Sequence, residues 1–379
     1  MSALAITPVS IPPISLPPIS LPPTPDAGAY VPDGSPDSAA EFRECHALLE
    51  AHELEKWGNL DRCPTLAEDT EYWRGSEYEE RHLFLARLGG GTVGMCSVTL
   101  PLRENTTTAG INVLVSAARR RQGWGRKLLE HAEAIAMAHG RSSLTGYCEL
   151  PAENVERASR LVPAKSGAGG LPADNASVAF AAGAGYELEQ VERASRLALP
   201  VPADHLQELE SKALLRAGCY ALVAWADKCP ERLVAEYAIL RNRMSTDVPT
   251  AGLDWGAEDW DPARVRHEER ANGRAGVQVQ VAAALDERTG RLVAYTVLTW
   301  PGAPASIIQQ DTLVAAEHRG KKLGLLTKAA NLRAAQERWP AARSVLTWNA
   351  VENQHMLAIN TLLGFKPAGY EGEWQKRLG

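Results

Sequence analysis

The sequence has no long uninterrupted apolar run and no excess of basic residues. Because no stretch of about 18 apolar residues occurs, we predict that the chain does not span a membrane. The formal net charge is -6 at pH 7, which gives no general field for attracting a polyanion. Nucleic acid and anionic membrane surfaces are therefore not expected as partners.

Paired cysteine motifs are also missing. None of the six cysteines forms a CxxC pair or has a histidine at metal-ligand spacing, and the chain is too long to need disulfide stapling. We therefore predict a reduced, cytoplasmic protein without a metal site. The cysteines are Cys45, Cys63, Cys96, Cys148, Cys219 and Cys229.

Lys and Arg are absent from the first part of the chain, where residues 2–24 carry a proline-rich hexad repeat. Proline at this density forbids a helix, and the missing basic n-region argues against a signal peptide. We predict that residues 1–37 are a Pro-rich arm, disordered or loosely docked.

What is present is a repeated strand, basic turn and helix. Gln310–Val314 leads into a turn from His318 to Gly324, and an earlier copy, Asn112–Val115, leads into a turn from Arg120 to Arg126. A strand that ends in a glycine-bearing basic turn and opens into a helix presents free backbone N–H groups at the positive end of a helix dipole. The pattern predicts two pyrophosphate-binding turns.

The elements around these turns repeat in the same order. The 379 residues are enough for two domains. Apolar periodicity predicts helices and strands at the following positions. In the first half these are a helix from Ser38 to Trp57, strands 82–88, 92–100 and 109–115, a helix after the turn, and a strand 188–197. In the second half they are helices 231–244 and 262–271, strands 277–285, 292–300 and 307–314, a helix 323–338, a strand 344–348, a helix 352–363, and a final strand.

The first copy is longer, and its surplus falls in the Pro/Gly/Ala-rich segment 151–174. This length exceeds an ordinary connection, so we predict that the segment is either disordered or a lid. The heptapeptide Val155–Leu161 recurs as Val191–Leu197, which we interpret as chance similarity.

The strand, the Arg-x-x-Gly-x-Gly turn, the helix, the next strand and helix, and a closing Gly-aromatic pair together resemble the GNAT superfamily of N-acetyltransferases. The span 38–379 resembles two such domains in tandem, of the mycothiol synthase-like type. The resemblance implies an α+β fold with two tandem GNAT-like domains, 38–200 and 201–379, each a mixed, mostly antiparallel sheet flanked by helices. The chain would then be an internal pseudo-dimer, and its oligomeric state is not indicated.

For this family the resemblance implies acetyl-CoA as co-substrate, with its pyrophosphate on the backbone amides of the turn and its thioester beside a strand that separates from its neighbour. Val115, Leu313 and Val314 would lie near the thioester, and Asn349 and Asn353 would flank the pantetheine, although Asn353 is equally well read as a helix cap. The implied pyrophosphate residues are Arg120, Arg121, Gln122, Gly123, Trp124, Gly125 and Arg126, and Arg319, Gly320, Lys321, Lys322, Leu323 and Gly324.

A carboxylate distinguishes the two copies. Asp311 precedes the second turn where the first copy has Asn112, and only a carboxylate can take the proton that an ammonium group must lose before attack. This favours the C-terminal domain as the catalytic one, while the first binds acetyl-CoA without turnover or is structural. Asp311 could instead face solvent or pair with an arginine; Glu268, Glu269 and Glu352 are reserve candidates.

Two departures from the family pattern weigh against full activity. Lys322 stands where the first copy has Gly123, although a lysine in helical conformation still donates its N–H. The tyrosine that many members place before the closing Gly-aromatic pair is replaced by Ala181 and Asn360. A water, or Asn360 as a hydrogen-bond donor, could assist the departing thiolate. Five tryptophans could form an aromatic acceptor pocket in the second half, although tryptophans more often belong to a core; they are Trp255, Trp260, Trp300, Trp348 and Trp374.

The resulting prediction is an acetyl-CoA-dependent N-acetyltransferase that moves an acetyl group to a primary amine of a small, preferably cationic, molecule by direct attack on the thioester. The alternative is a non-catalytic acyl-CoA-binding or scaffold protein with degenerate domains. Dinucleotide binding is disfavoured, because the glycine turn follows the third strand of a meander and does not open a strand-helix-strand unit.

Overall fold

A computed structural model describes residues 3–13 and 36–378 of the protein. Side chains are described for residues 3–13 and 39–378. The first half has the predicted order of helix, hairpin, third strand, turn and helix. Its elements are β1 (Leu4–Pro8), α1 (Pro36–Trp57), α2 (Leu66–Trp73), β2 (Glu79–Leu88), β3 (Gly91–Pro101), β4 (Thr108–Val115), α3 (Trp124–Ala138), β5 (Ser143–Pro151), α4 (Ala152–Glu156), β6 (Leu161–Pro163), β7 (Gly170–Pro172), α5 (Ala176–Gly183) and β8 (Glu187–Ala198).

The second half repeats this order after an additional helix and strand, α6 and β9, that sequence periodicity did not identify. Its elements are α6 (Ala203–Ala217), β9 (Tyr220–Ala226), α7 (Val234–Asp247), α8 (Pro262–Ala275), β10 (Gln278–Asp286), β11 (Arg291–Trp300), β12 (Ile307–Val314), α9 (Leu323–Arg338), β13 (Ser344–Ala350), α10 (Gln354–Leu363) and β14 (Lys366–Arg377). The strand that feeds the second turn and the helix that follows it have the predicted bounds.

Twelve of the strands form one sheet in the order β1-β2-β3-β4-β5-β14-β8-β13-β12-β11-β10-β9. The pairs β4–β5 and β12–β13 are parallel, and the other neighbours are antiparallel. The predicted α+β fold with mixed, mostly antiparallel strands is therefore confirmed.

The two halves exchange their closing strands. β14, the last strand of the chain, pairs with β5 of the first half, and β8 pairs with β13 of the second half. β8 and β14 also pair with each other at the centre of the sheet. A boundary near residue 200 thus divides the chain but does not divide the sheet, and it stays a prediction.

Each half contains one pair of parallel strands that separate. β4 and β5 pair only from Thr108↔Ser143 to Gly110↔Thr145. β12 and β13 pair only at Ile307↔Val345 and Ile308↔Leu346. Beyond these pairs the strands splay apart toward the basic turns, as the resemblance predicted. Within the described residues, main-chain groups along the splays therefore have no paired strand on that side.

Helices cover both faces of the sheet. In the first half α1 packs on Leu83 and Leu85, while α3 packs on Phe84 and Ala86, the alternate side chains of the same strand. In the second half α9 is covered on its outer side by α6, so it is buried along most of its length. No helix within residues 36–378 is long and apolar enough to cross a bilayer.

Of the two alternatives for the Pro-rich arm, disorder is wrong for residues 3–13, which are docked on the sheet. Leu4–Pro8 pairs with the edge strand β2, from Leu4↔Leu88 to Pro8↔Phe84, and Val9 is buried beside Phe42. The alternation of apolar Leu4 and Ile6 suits a half-buried strand, and proline is tolerated at the end of an edge strand. Residues 14–35 of the predicted arm lie outside the described residues.

The predicted disorder of segment 151–174 is also wrong. The segment forms α4 and a small β6–β7 hairpin, and Leu171 of that hairpin is completely buried in the first-half core. At Gly169, which has a positive φ, an added Cβ would lie 3.0 Å from Val351 and 3.1 Å from Val191. Its glycines and prolines therefore serve close packing and tight turns.

Candidate functional site

The two basic turns have matching backbones. Left-handed φ values occur at Arg121 and Gly123 in the first turn and at the equivalent Gly320 and Lys322 in the second. Each turn therefore contains one glycine and one long cationic residue at its two left-handed positions. Lys322 is not helical as predicted, and the glycine missing there is offset by Gly320, where the first turn has Arg121.

Both turns open into helices with uncapped amino ends. The N-cap residues of α3 and α9, Gly123 and Lys322, make no side-chain capping hydrogen bond, so N–H groups of the first helical turn are available to an anionic ligand. A Cβ on Gly125 would lie 3.6 Å from Val115, and one on Gly324 would lie 3.5 Å from Val314. Glycine at these positions keeps each helix start close to the splayed strand.

Arg120 and Arg319 support the turns from behind. Nε of Arg120 donates to Val115 O, and Nε of Arg319 donates to Val314 O, each at 3.1 Å. The guanidinium of Arg120 also pairs with Glu55 at 2.7 and 2.6 Å. These two predicted cofactor residues therefore brace the strand-turn junction, which leaves the backbone amides and the other cations to face a ligand.

The two turns differ in accessibility. At the start of α3, Gly125 is partly exposed and Arg126 is exposed, whereas the equivalent Gly324 and Leu325 of α9 are buried. Lys321 Nζ is bound to the hydroxyl of Tyr220. The first turn therefore offers more accessible amides and positive charge than the second.

Asp311 lies on β12 in a pocket between the sheet, α7 and α8. Its carboxylate accepts a hydrogen bond of 2.9 Å from the hydroxyl of Tyr295 and lies 3.2 Å from Nε of Arg241. Arg241 in turn bonds Glu268 at 2.7 Å, one of the reserve carboxylates. The structure thus gives Asp311 an arginine partner, and an amine approaching it would have to compete with Arg241 and Tyr295.

Three asparagines lie near the second splay. Asn360 is completely buried and donates from Nδ2 to Asn349 Oδ1 at 2.7 Å, while its own Oδ1 has no hydrogen-bond partner in the described part of the chain. A buried acceptor without a partner is costly and suits a ligand N–H or S–H. The Asn353 side chain accepts from Met356 N at 3.2 Å, so it acts as a helix cap.

A group of carboxylates at the exchanged strands was missed by the sequence reasoning. Glu149 of β5 pairs in register with Glu371 of β14, and Glu371 pairs with Glu192 of β8. Glu373 follows on the same face of β14. We call these four residues the central carboxylate cluster. It lies between the two splays and near the end of α1. The predicted reserve residue Glu352 is next to it, because Glu352 accepts a hydrogen bond of 2.7 Å from Gln190, which pairs in register with Glu373.

The cluster has carboxyl groups with raised pKa values. Burial, with a contribution from the charge of Glu352, raises the pKa of Glu192 to about 7. Burial and the charge of Glu192 raise the pKa of Glu373 to about 7. The pKa of Glu371 is raised well above its usual range by burial and by the charge of Glu373. The cluster can therefore both hold a cation and take up a proton near neutral pH.

Aromatic residues form one wall of the cluster. The guanidinium of Arg62 lies 3.7 Å from the ring centre of Trp57 and binds the carboxylate of Glu149, which also accepts from Trp348 Nε1 at 3.0 Å. Tyr147 lies opposite Glu373 in the register and is 58% exposed. The cluster is thus closed on the Trp348 side and reached by solvent on the Tyr147 side.

The tryptophans do not form one acceptor pocket. Trp300 and Trp374 are buried in two separate cores, Trp260 stacks on Arg241, and Trp255 is exposed. Trp348 contacts the central carboxylate cluster through its hydrogen bond to Glu149. The structure therefore supports the interpretation that most of these residues serve packing.

Comparison with known proteins supports this arrangement. Residues 48–156 match the sequence profile described as Acetyltransferase (GNAT) family. Over 100% of this chain and 99% of the other, the structure is similar to a tandem GNAT protein from the clavulanic acid biosynthesis pathway, with 23% identity and a TM-score of 0.71. No curated protein sequence matches the chain.

More distant structures share the fold. One is the GCN5-related glucosamine N-acetyltransferase region of a fungal multi-domain GH3 β-N-acetylglucosaminidase (12% identity, 99% of this chain, 38% of that chain, TM-score 0.61). Another is a GCN5-related N-acetyltransferase from Sphaerobacter thermophilus (12% identity, 89% and 93% coverage, TM-score 0.56). The tandem arrangement inferred from the repeated motifs is confirmed.

Proposed function

Because the chain is a tandem two-domain GNAT protein in fold and carries the family's sequence pattern over residues 48–156, we propose that it is an acetyl-CoA-dependent N-acetyltransferase. Its acceptor is a primary amine of a small cationic molecule. The observation that carries the proposal is the repeated site in which an uncapped helix start adjoins a splayed strand.

The repeated site offers partners for the pyrophosphate and for the pantetheine and thioester end of acetyl-CoA. Amides at the start of α3 or α9 would bind the pyrophosphate, with Arg121, Arg126 or Lys322 adding positive charge. The splay exposes main-chain donors along the strand that ends at Val115 or Val314. In the second half, the unpaired Oδ1 of Asn360 would offer an acceptor to a pantetheine N–H of acetyl-CoA or, after transfer, to the thiol of CoA.

The chemistry needs a proton acceptor and an oxyanion donor. Acetyl-CoA supplies the acetyl thioester. A main-chain N–H at the splay would donate to the thioester oxygen and stabilise the negative charge that develops there. A carboxylate would take the proton of the incoming ammonium group, which leaves the nitrogen lone pair free to attack the thioester carbon. Collapse of the tetrahedral intermediate would then form the amide, break the C–S bond and release the CoA thiolate, which would gain through water the proton that the nitrogen loses.

The central carboxylate cluster is the better candidate for binding and deprotonating the amine. Four carboxylates lie together beside the exposed Tyr147, and two of them have pKa values near 7, which matches a base that works at neutral pH. Asp311, the predicted base, is held by Arg241 and Tyr295. We therefore propose Glu373 or Glu192 as the proton acceptor.

The accessibility of the first turn and the position of Glu149 change which half is the better candidate for catalysis. The sequence favoured the second half because of Asp311. The first half has the more accessible turn, and Glu149 of the cluster lies on its own β5 strand. We propose that acetyl-CoA used in transfer binds at the first turn, and that the second turn binds weakly or is structural.

The experiment that tests the proposed function measures CoA release with a thiol reagent. Acetyl-CoA would be incubated with a panel containing polyamines, amino sugars such as glucosamine, and neutral amines of similar size. We expect release that depends on a cationic amine, and a larger loss for Glu373→Gln than for Asp311→Asn. The reverse order would return the base to Asp311.

Measuring acetyl-CoA binding beside CoA release distinguishes the enzyme from the non-catalytic alternative. The buried start of α9 favours it for the second half. If calorimetry shows saturable acetyl-CoA binding but no amine in the panel causes CoA release, the protein is an acyl-CoA-binding scaffold. If acetyl-CoA does not bind, both proposals fail.

A further inference from the structure

Three potential metal ligands meet at the far end of α3, outside the acetyl-transfer site. Glu80 and His82 lie two residues apart on β2, so their side chains are on the same face of the strand. His139 is the C-cap residue of α3, which packs over that face. Strand and helix therefore bring together two imidazoles and one carboxylate that are far apart in sequence.

The ligand atoms are close together. One nitrogen from each histidine and one oxygen of Glu80 all lie within 4.8 Å of one another. Nε2 of His82 is 3.1 Å from Glu80 Oε1, and the two imidazole ring centres are 5.6 Å apart. Small side-chain rotations would bring these atoms to the roughly 2.0–2.2 Å bond lengths that zinc requires.

The hydrogen bonding of both histidines leaves the required lone pairs available. Nδ1 of His139 lies 2.8 Å from the carbonyl oxygen of Ile135, so Nδ1 carries the proton and Nε2 keeps its lone pair. This carbonyl support is typical of metal-ligating histidines. Nε2 of His82 is buried and, although it lies 3.1 Å from Glu80 Oε1, forms no hydrogen bond of acceptable geometry within the described residues. With the imidazole neutral and its proton on Nδ1, this nitrogen offers its lone pair on the side of Glu80.

The local charge favours a cation. The C-terminal end of α3 carries the negative end of the helix dipole, and its last turn contains no basic residue. Glu80 adds a formal negative charge. The nearby Arg141 is directed to the carbonyl groups of Thr106 and Pro101, so its charge is engaged with main-chain oxygens.

We propose that Glu80, His82 and His139 bind a divalent transition-metal ion, Zn²⁺ being the best match, and that the ion fastens β2 to the end of α3. Two imidazoles and a carboxylate suit Zn²⁺ and leave a fourth position for water. No metal-ligand spacing is visible in the sequence, because the ligands come from separate elements and no cysteine takes part. This site is independent of the proposed acetyltransferase function.

The test uses the full-length protein after removal of metal with a chelator. Zn²⁺ binding is followed by calorimetry and by the thermal unfolding midpoint. We expect one tight equivalent and a midpoint raised by a few degrees when zinc is saturating. His139→Ala and Glu80→Gln should each weaken zinc binding at least about tenfold, whereas the exposed control His355→Ala should not change it.

The visible spectrum of bound Co²⁺ tests the site without relying on a change in the unfolding midpoint. His139 is exposed, so its loss should leave the fold intact, which circular dichroism checks. Co²⁺ bound to the wild-type protein should give the visible bands of a four-coordinate site, and these should disappear in His139→Ala. Unchanged zinc affinity in both ligand variants, or no zinc binding by the wild-type protein, would overturn the proposal and leave His82 and Glu80 as an ordinary ion pair.

Discussion

Glu192 and Glu371 are directly paired across β8 and β14, and each stands seven positions after the glycine that closes its half, Gly185 or Gly364. They are therefore equivalent residues of the internal repeat, brought face to face because the closing strands are exchanged. Like charges directly opposite each other are unfavourable. A shared proton or a bound cation would relieve this repulsion, which connects the exchange of strands to the proposed choice of acceptor.

The first prediction concerns the pH dependence of Glu373→Gln. Because the pKa of Glu373 is raised to about 7, we expect kcat/KM of the wild-type protein to increase as the pH rises through about 7. The variant should lose about 100-fold or more in kcat/KM, together with that inflection. Glu287→Gln, in an exposed turn, is the matched control. An unchanged pH profile in Glu373→Gln would exclude Glu373 as the base.

The same substitution has a stability signature of defined sign. The folded protein holds a proton on Glu373 up to about pH 7, whereas the unfolded chain releases it near 4.5. The free energy of unfolding should therefore fall as pH rises from about 4.5 to 7. Glu373→Gln should remove part of this fall. Urea titrations at pH 5 and pH 8 would show a larger gain for the variant at pH 8.

Most of the fold could be predicted because its signals are local. The strand Ile307–Val314 and the helix after it follow directly from apolar periodicity and the glycine-bearing turn. The exchange of β8 and β14 could not be predicted, because both closing strands have the same alternating pattern. Only tertiary pairing decides which neighbour each strand takes.

A heptapeptide that occurs twice in the chain has different secondary structure in its two tertiary environments. The sequence from Val155 to Leu161 spans the end of α4, a loop and the start of β6, whereas the identical Val191–Leu197 is continuous strand in β8. In β8 the residues Val191, Ala194 and Leu197 are buried by neighbouring strands. Local propensity is the same in the two copies, so tertiary contacts determine the structure.

The candidate site was only partly predictable for the same reason. The turns were found because their residues are contiguous. The central carboxylate cluster combines Glu149, Glu192, Glu371 and Glu373 from three strands distant in the chain. The repeat did contain a signal, since Glu192 and Glu371 occupy equivalent positions. It becomes meaningful only when the strands are known to be adjacent.

The second prediction compares the two turns through one charge reversal in each, at the cationic left-handed residue. Arg121→Glu and Lys322→Glu change exposed cations at left-handed positions of the first and second turn, so both replace one non-glycine residue with another. We expect Arg121→Glu to weaken acetyl-CoA binding about tenfold or more, because an anion at the helix start repels pyrophosphate. Lys322→Glu should have a smaller effect.

Calorimetry measures both the affinity and the stoichiometry of acetyl-CoA binding in the two variants. If the wild-type protein binds one equivalent of acetyl-CoA and Arg121→Glu abolishes this binding, the binding site is the first turn. Two equivalents in the wild-type protein, each weakened by one substitution, would assign binding to both turns. A stronger effect of Lys322→Glu would contradict the prediction and restore the second half as the catalytic one.

The third prediction follows from the exchanged strands. When produced separately, fragments 1–200 and 201–379 should fold poorly, because β8 lacks β13 and β14 lacks β5. When produced together, they should associate into a complex with native circular dichroism and proton-exchange protection in β8 and β14. Stable, independently folded monomers of either fragment would show that the exchange is not required.

The last prediction concerns Lys328, a lysine of α9 that is only 3% exposed. Its ammonium group lies 5.8 Å from the ring centre of Phe365, and burial lowers its pKa to about 7. The unfolded chain keeps this proton up to about pH 10.5, whereas the folded protein loses it near 7. The free energy of unfolding should therefore rise with pH between about 7 and 10.5. Lys328→Met, of similar shape, should be more stable than the wild-type protein at pH 7, and the difference should shrink by pH 9. Urea titrations at both pH values measure it, with the exposed Lys212→Met as control. A pH-independent difference would show that Lys328 is charged in the folded protein and has a partner that stabilises the charge.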